Sequence, residues 1–333
     1  MKKIINAPES FVDETLEGIL LAHPDRLDRA GGSLRCIVRK NAGKKKKVGI
    51  ASGGGSGHLP LFLGYVGTGL LDGCCVGGVF QSPSADNMLG VTKAIDSGMG
   101  VLYIFGNYSG DRMNFAMAAE MADLEGIRVE KVIGCDDIAS SPKGEEGKRR
   151  GIAGIFFVYK AAGAAAEEGA SLDEVKRIAE KANSRVRTMG VALSPCTIPE
   201  VGQPNFTIDE GDMEIGMGIH GEPGVLREAL RPADAIADQM MDKIFADYSY
   251  AAGDEVAVLV NGLGATPKEE LYILYRRVAQ RLADRGVAVI KTYVGEFATS
   301  MEMAGCSVSV FHLDAELKKH LLAPASTPFF EQA

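Results

Sequence analysis

The sequence predicts an α/β protein of two domains, each with a mainly parallel or mixed sheet flanked by helices. First, the 333 residues exceed what one ordinary core holds. Second, short apolar runs of strand length alternate with helical segments. Third, the composition changes near residues 189–193. We therefore place the domains at residues 1–188 and 189–333.

The first half alternates strands and helices at the spacing of a doubly wound sheet. Strands are predicted at residues 48–51, 74–80, 101–105 and 129–133. Helices are predicted at 9–22, from 60, from about 85, at 113–124, at 151–168 and from 171 to about 187. Ser171 and Glu174 have the spacing of a capping box. Polar clusters follow three of the strands, and the ends of parallel strands share one edge of a sheet.

The second half predicts a smaller α/β domain without an internal repeat. Apolar runs at 213–219, 255–260, 287–294 and 307–313 indicate strands, and helices are predicted at 233–245, from 267 and at 315–322. A second capping box is predicted at the start of the helix from 267. Thr266 would be its N-cap, Pro267 its first helical residue and Glu269 the acidic residue that completes the box.

Composition and charge exclude several classes of protein. The formal net charge of -8 argues against a nucleic-acid surface, and the basic run at 44–47 is interpreted as a solvated loop. Acidic residues at 9, 13 and 14 interrupt any secretory signal, and no apolar run has the ~18 residues of a membrane span. The six cysteines form no C-x-x-C pair. We therefore expect a cytoplasmic protein with reduced, buried thiols and neither nucleic-acid nor membrane binding.

The first polar cluster is a glycine loop, Ser52-Gly-Gly-Gly-Ser-Gly-His58, between a predicted strand and a predicted helix. It lacks the Lys-Ser/Thr of a P-loop, and His58 replaces the third glycine of the dinucleotide fingerprint. A glycine loop at the carboxyl end of a sheet is a usual place for a small polar ligand. The sequence therefore indicates small-molecule binding rather than a nucleotide cradle.

A second histidine stands between glycines near the middle of the chain, in Gly218-Ile-His-Gly-Glu-Pro-Gly224. Its flanking glycines let a ligand approach the ring of His220. An exposed histidine in a tight turn is the simpler alternative. The presence of His58 and of Asp111, each also next to a glycine, favours a functional site.

Four motifs together resemble the signatures of the dihydroxyacetone kinase family, specifically its substrate-binding K subunit. They are the glycine loop, Asn107-Tyr-Ser-Gly-Asp111, the His220 motif and Asn261-Gly-Leu-Gly-Ala-Thr-Pro267, and they occur in the family's order. The resemblance covers essentially the whole chain. An unrelated α/β protein with glycine-rich loops is the remaining alternative.

The resemblance implies a covalent mechanism. His220 would add to the ketone carbon of the substrate and give a hemiaminal, which a polyol such as glycerol cannot form. Asp111 corresponds to the general base for the hydroxyl that receives phosphate. His58 and the backbone of Gly54 and Gly55 would hydrogen-bond the ketose hydroxyls.

The resemblance also implies partners. The chain itself would bind no metal and no cofactor, and a separate L-type subunit would hold Mg²⁺ and ADP or ATP. The family's K subunits are homodimers, so we expect a homodimer. Whether ATP or a phosphotransferase relay supplies the phosphoryl group stays open.

One position departs from the family pattern. Gly106 stands where members usually have a substrate-site lysine. Losing that side chain removes a donor and enlarges the pocket. Two alternatives to a dihydroxyacetone kinase subunit follow: a subunit for a four-carbon ketose such as erythrulose, and a ketose-sensing co-activator without catalysis. The intact Asp111 favours an enzyme.

Overall fold

The computed structural model describes residues 2–333, which divide into two compact units. The first contains the residues up to Ile133, Phe157–Ala182 and Leu317–Ala333, and the second contains Gly134–Phe156 and Asn183–Glu316. These units differ from the contiguous division expected at 188/189. At that boundary, the strand at 186–194 is hydrogen-bonded within the second sheet, so residues 186–188 pair with the second unit.

The first unit is built on a mixed six-stranded sheet. Its strands are β1 (Leu27–Arg29), β2 (Cys36–Arg39), β3 (Gly49–Ser56), β4 (Gly73–Val79), β5 (Val101–Gly106) and β6 (Val129–Gly134), in the order β1-β2-β4-β3-β5-β6. The central β3 is parallel to β4 and β5, whereas β1 and β2 are antiparallel to their neighbours. The helices of this part of the chain are α1 (Phe11–Ala22), α2 (Ala85–Ile95), α3 (Ser109–Leu124), α4 (Ile155–Glu167) and α5 (Leu172–Ser184).

The core of the first unit lies between its sheet and the helices α2 and α3. Phe115 of α3 is fully buried, stacks on Phe105 of β5 at 4.2 Å between ring centroids and meets the edge of Tyr103 at 5.5 Å. Burying a phenylalanine of this kind contributes about 1.5–3 kcal/mol. This packing fixes α3 against the sheet, and with it the first turn of the helix.

The second unit is built on another mixed six-stranded sheet. Its strands are β7 (Val186–Ser194), β8 (Asp212–Ile215), β9 (Leu226–Ala229), β10 (Glu255–Gly262), β11 (Ala288–Glu296) and β12 (Ala304–Leu313), in the order β11-β10-β12-β7-β8-β9. Only β10 and β11 among these pairs are parallel. The later helices are α6 (Ala233–Asp247), α7 (Lys268–Ala283) and α8 (Ala315–Leu322), and a short pair follows, β13 (Ala325–Ser326) with β14 (Glu331–Gln332). The predicted α/β class with mixed sheets is confirmed.

Several predicted boundaries were wrong. No α-helix begins at residue 60; a single 3₁₀ turn covers Leu63–Tyr65, because Phe62 has φ +65°, which a helix cannot contain. The strand predicted at 48–51 continues through the glycines to Ser56, where it pairs with β4. The helix predicted at 113–124 begins at Ser109.

The two predicted capping boxes differ in outcome. Ser171 accepts a hydrogen bond from the backbone N–H of Glu174 at 3.3 Å, as expected of a cap. Thr266 does not cap α7, whose N-cap is Pro267. Its hydroxyl instead donates to the carbonyl of Gly305 at 2.7 Å and accepts from the same residue's N–H at 2.8 Å.

Candidate functional site

The glycine strand β3 packs closely against aromatic residues at its carboxyl end. A Cβ atom on Gly54 would lie 2.2 Å from the ring of Phe62, and one on Gly55 would lie 2.7 Å from the Cα of Phe80. No larger residue fits either position without moving those neighbours. The glycines therefore bring bare backbone to this edge of the sheet, where a small ligand can approach it.

His58 follows this strand and is almost completely buried, with 1% of its surface exposed. Its ring stacks on Phe80, with centroids 4.8 Å apart and an angle of 16° between the planes. It also meets the edge of Phe62 at 6.2 Å. Two aromatic contacts thus set the orientation of the imidazole, and Gly54 leaves the space that one of those rings occupies.

Asp111 is the third residue of α3 and only 5% exposed. The chain leaves β5 at the buried Gly106, whose carbonyl accepts a hydrogen bond from the N–H of Tyr108 at 3.0 Å, and the helix begins one residue later. Asn114 donates to the carbonyl of Pro83 at 2.8 Å and so ties the first turns to the loop after β4. The early start of α3 is what places this carboxylate at the end of the sheet.

His220 lies in a tight turn after β8 and is held by Glu222. Its Nδ1 lies 2.9 Å from Glu222 Oε1, and its backbone N–H donates to Glu222 Oε2 at 3.0 Å. A Cβ atom on Gly218 would lie 2.1 Å from that second oxygen, so a larger residue there would displace the carboxylate from its contact with the histidine. A histidine whose Nδ1–H donates to a carboxylate has its lone pair on Nε2. With 23% of the side chain exposed, the ring is accessible to a small molecule.

The surroundings of Glu222 favour the ionised form of its carboxyl group. Burial raises the pKa of this carboxyl, but the hydrogen bond and charge of His220 and the charge of Arg150 outweigh burial and lower it to about 2. Arg150 Nη1 lies 3.9 Å from Glu222 Oε2, and its Nη2 donates to the carbonyl of Gly216 at 3.0 Å. Asp137 Oδ2 lies 2.7 Å from Nε of the same arginine. Burial raises the pKa of Asp137 to about 6, although the charge of the arginine opposes this rise.

Polar side chains from distant parts of the second unit support the backbone of this turn. Asn205 donates to the carbonyl of His220 at 2.9 Å and accepts from the N–H of Cys196 at 3.1 Å. The hydroxyl of Ser300 donates to the carbonyl of Ile219. Sequence reasoning assigned no role in the site to these residues, nor to Arg150 and Asp137. They lie outside the motif and belong to no recognisable pattern, whereas Glu222 stands in the motif itself.

The predicted site residues fall into two groups. His58, Gly54, Gly55, Gly106 and Asp111 lie in the first unit, near the carboxyl ends of β3 and β5. The loop after β4 joins them, because its aromatic residue at 80 stacks on the histidine and its proline at 83 binds the start of α3. His220 lies in the second unit with its carboxylate partner. Their roles in binding and catalysis stay predictions.

Three further features bear on ligands and environment. Within residues 2–333, no group of three or more His, Cys, Asp and Glu side chains is arranged to hold a metal ion. No helix of the same residues has the length and apolar character needed to cross a bilayer. All six cysteines are free thiols, five of them buried, and burial raises the pKa of Cys74 and Cys75.

Comparison with known proteins identifies the family. The Dak1 domain model matches residues 17–329. The dihydroxyacetone-binding subunit of PTS-dependent dihydroxyacetone kinase 2 from Listeria innocua is 47% identical over 331 residues, which are 99% of each chain. D-erythrulose kinase from Mycolicibacterium smegmatis is 44% identical over 332 residues, 100% of this chain and 57% of that protein. The solved structure of a dihydroxyacetone kinase operon co-activator matches with a TM-score of 0.90 and 33% identity, covering 96% of this chain and 98% of that one. The resemblance found in the sequence is therefore confirmed, and the chain belongs to the Dak1 domain family.

Proposed function

We propose that this chain binds a short ketose covalently through His220 and presents it for phosphorylation, as the ketose-binding subunit of a dihydroxyacetone kinase. The observation that carries the proposal is the contact of 2.9 Å between His220 Nδ1 and Glu222. That contact orients the ring and leaves Nε2 as its nucleophilic atom. The Listeria innocua relative, 47% identical over 99% of each chain, supports the choice of dihydroxyacetone.

The addition step needs no cofactor. The lone pair of Nε2 forms a bond to the ketone carbon, the electrons of the C=O π bond move to the oxygen, and the oxygen takes up a proton from water. The ring keeps its Nδ1 proton and becomes a cation beside the ionised carboxylate of Glu222. A carboxylate with a pKa near 2 stays ionised at neutral pH and stabilises that cation.

Phosphoryl transfer then needs a base and a donor. Asp111 is the proposed base, since it is a nearly buried carboxylate at the start of α3. An L-type partner would hold Mg²⁺ and ADP or ATP. In support, a relative that this chain matches over 99% of its length is named as the dihydroxyacetone-binding subunit of a kinase. A homodimer and a cytoplasmic location also stay predictions of the sequence.

The proposal is tested with dihydroxyacetone labelled with ¹³C at the carbonyl carbon. We expect the protein to convert the ketone signal into that of a tetrahedral carbon, and His220→Gln to abolish the conversion while the protein stays folded. Glycerol at the same concentration serves as the negative control. Calorimetry on the isolated chain should detect negligible binding of Mg-ATP. A ketone signal unchanged by the wild-type protein would exclude the covalent mechanism.

A four-carbon ketose is a second candidate substrate, and Gly106 is the observation that favours it. The position at the end of β5 has no side chain where the resemblance to the family leads us to expect lysine, which would leave room for an additional CHOH group. One group of this size changes the difference in binding free energy between two substrates by roughly 1–3 kcal/mol. We expect erythrulose to bind at least as well as dihydroxyacetone, and Gly106→Lys to shift the preference toward dihydroxyacetone. Strong preference of both forms for dihydroxyacetone would contradict this.

A co-activator role is the alternative of another class, favoured by the structural match to an operon co-activator. Such a protein needs to bind the ketose but not to deprotonate it. Turnover with an L-type partner distinguishes the two roles: phosphorylation that depends on Asp111 supports the kinase, and ketose binding without any turnover supports the sensor.

A further inference from the structure

Arg112 stands directly beside the proposed base, on the exposed side of the first turns of α3. Its backbone N–H donates to the carbonyl of Tyr108 at 2.9 Å, which fixes its position in the helix. Asp111 before it is nearly buried, whereas the arginine side chain is exposed. One residue therefore faces the sheet edge while the next faces the solvent from which a phosphoryl donor must arrive.

The guanidinium of Arg112 forms no hydrogen bond or ion pair with any other part of residues 2–333. Most arginines of the first unit behave differently. Five of them pair with carboxylates at 3.3 Å or less, namely Arg26, Arg35, Arg39, Arg128 and Arg177. Arg29 on β1 is the other exposed arginine of this unit without an ion pair. Arg112 thus keeps its full donor capacity.

Arg112 is also the only cation available in its stretch of chain. Between residues 94 and 127 the sequence has no other lysine or arginine, and Gly106 ends the adjoining strand without a side chain. Phosphoryl transfer depends on cations that stabilise the negative charge on the equatorial oxygens. Arginine suits this role because its planar guanidinium donates two parallel hydrogen bonds to a phosphate.

We propose that Arg112 binds the phosphoryl group during its transfer and the phosphate of the product afterwards. In this step the hydroxyl oxygen of the bound ketose forms a bond to phosphorus and its proton passes to Asp111. The bond from phosphorus to the donor oxygen breaks, and its electron pair stays on the donor. The inference rests on the proposed function of the chain, and it assigns the phosphate contact to a residue that the sequence motifs did not single out.

Binding of dihydroxyacetone phosphate and of dihydroxyacetone tests this assignment without any partner subunit. Calorimetry is carried out on the wild type, on Arg112→Gln and on Arg29→Gln, a matched loss of an exposed arginine in the same unit. We expect Arg112→Gln to weaken binding of the phosphate ester by about tenfold or more, and to change binding of the unphosphorylated ketose by less than twofold. Arg29→Gln should change neither.

The possible results separate the two proposals. If Arg112→Gln binds both ligands as the wild type does, Arg112 is only a solvated residue of the helix surface and the inference is wrong. If both ligands weaken equally, the arginine acts on the ketose and the phosphate assignment is also wrong. If wild-type protein binds neither ligand, the proposed function itself fails and the inference fails with it.

Discussion

Replacing Glu222 by glutamine removes the negative charge that holds the ring of His220 and keeps the size of the side chain. Glutamine can still accept one hydrogen bond, so the turn between residues 216 and 224 should keep its fold. What disappears is the counter-charge for the imidazolium of the ketose adduct. We therefore expect the variant to fold normally and to form the adduct poorly.

The structure gives the size of the effect. The pKa of Glu222 is about 2 in place of its ordinary 4.5, a difference that corresponds to about 3 kcal/mol in favour of the ionised form. Because 31% of this side chain is exposed, solvent screening reduces the part available to the adduct. We take between about half and about nine tenths of it, about 1.4–2.8 kcal/mol, which corresponds to a loss of about 10- to 100-fold in the adduct equilibrium.

The assay is a titration of ¹³C-labelled dihydroxyacetone, in which the tetrahedral carbon signal is followed against ketose concentration. Glu210→Gln, an exposed glutamate of the same unit, serves as the matched control, and thermal unfolding checks that both variants are folded. An adduct that forms equally well in Glu222→Gln would refute the reasoning, since Nε2 would then need no help from the carboxylate.

Three further predictions follow from the described contacts. Asp111→Asn should keep ketose binding but lower partner-dependent turnover by about 10²-fold or more, measured by product formation; unchanged turnover would remove this residue from the mechanism. Gly54→Ala should displace Phe62, weaken ketose binding and lower the melting temperature, because the new Cβ would lie 2.2 Å from the ring. The control is Gly18→Ala in the exposed middle of α1, where no atom lies within 4 Å, and it should raise the free energy of unfolding by about 0.5–1 kcal/mol. The contribution of Glu222 to the free energy of unfolding should be constant above pH 4.5, its ordinary pKa, and lost as the pH falls toward 2, because its pKa in the folded protein is lowered. Unfolding free energies of the wild type and Glu222→Gln measured against pH test this, and identical pH dependence of the two proteins would contradict it.

Local patterns in the sequence predicted much of the fold. Alternating apolar runs located the strands that form the centres of both sheets, and the sequence around Ser84 and Ser171 placed the starts of α2 and α5, each with a serine accepting a backbone hydrogen bond. The predictions failed where long-range contacts outweighed local preference. Thr266 has the sequence context of a cap, yet its hydroxyl binds the backbone of Gly305, a strand neighbour that local reasoning cannot see.

The sequence alone determined the family, the histidine and carboxylate to examine, and the glycines around them, because each of these is a feature of adjacent residues. Only the tertiary structure decided what holds those groups in place. The contacts that a motif makes with residues outside it cannot be read from its own sequence: Asn205 and Ser300 reach the His220 turn from other parts of the second unit. Likewise, the burial of Asp111 beside the exposed Arg112 depends on where α3 begins, and packing of the helix against the sheet sets that point. The sequence determines the chemical type of each side chain, whereas the orientation and the pKa of that side chain depend on contacts between residues far apart in the chain.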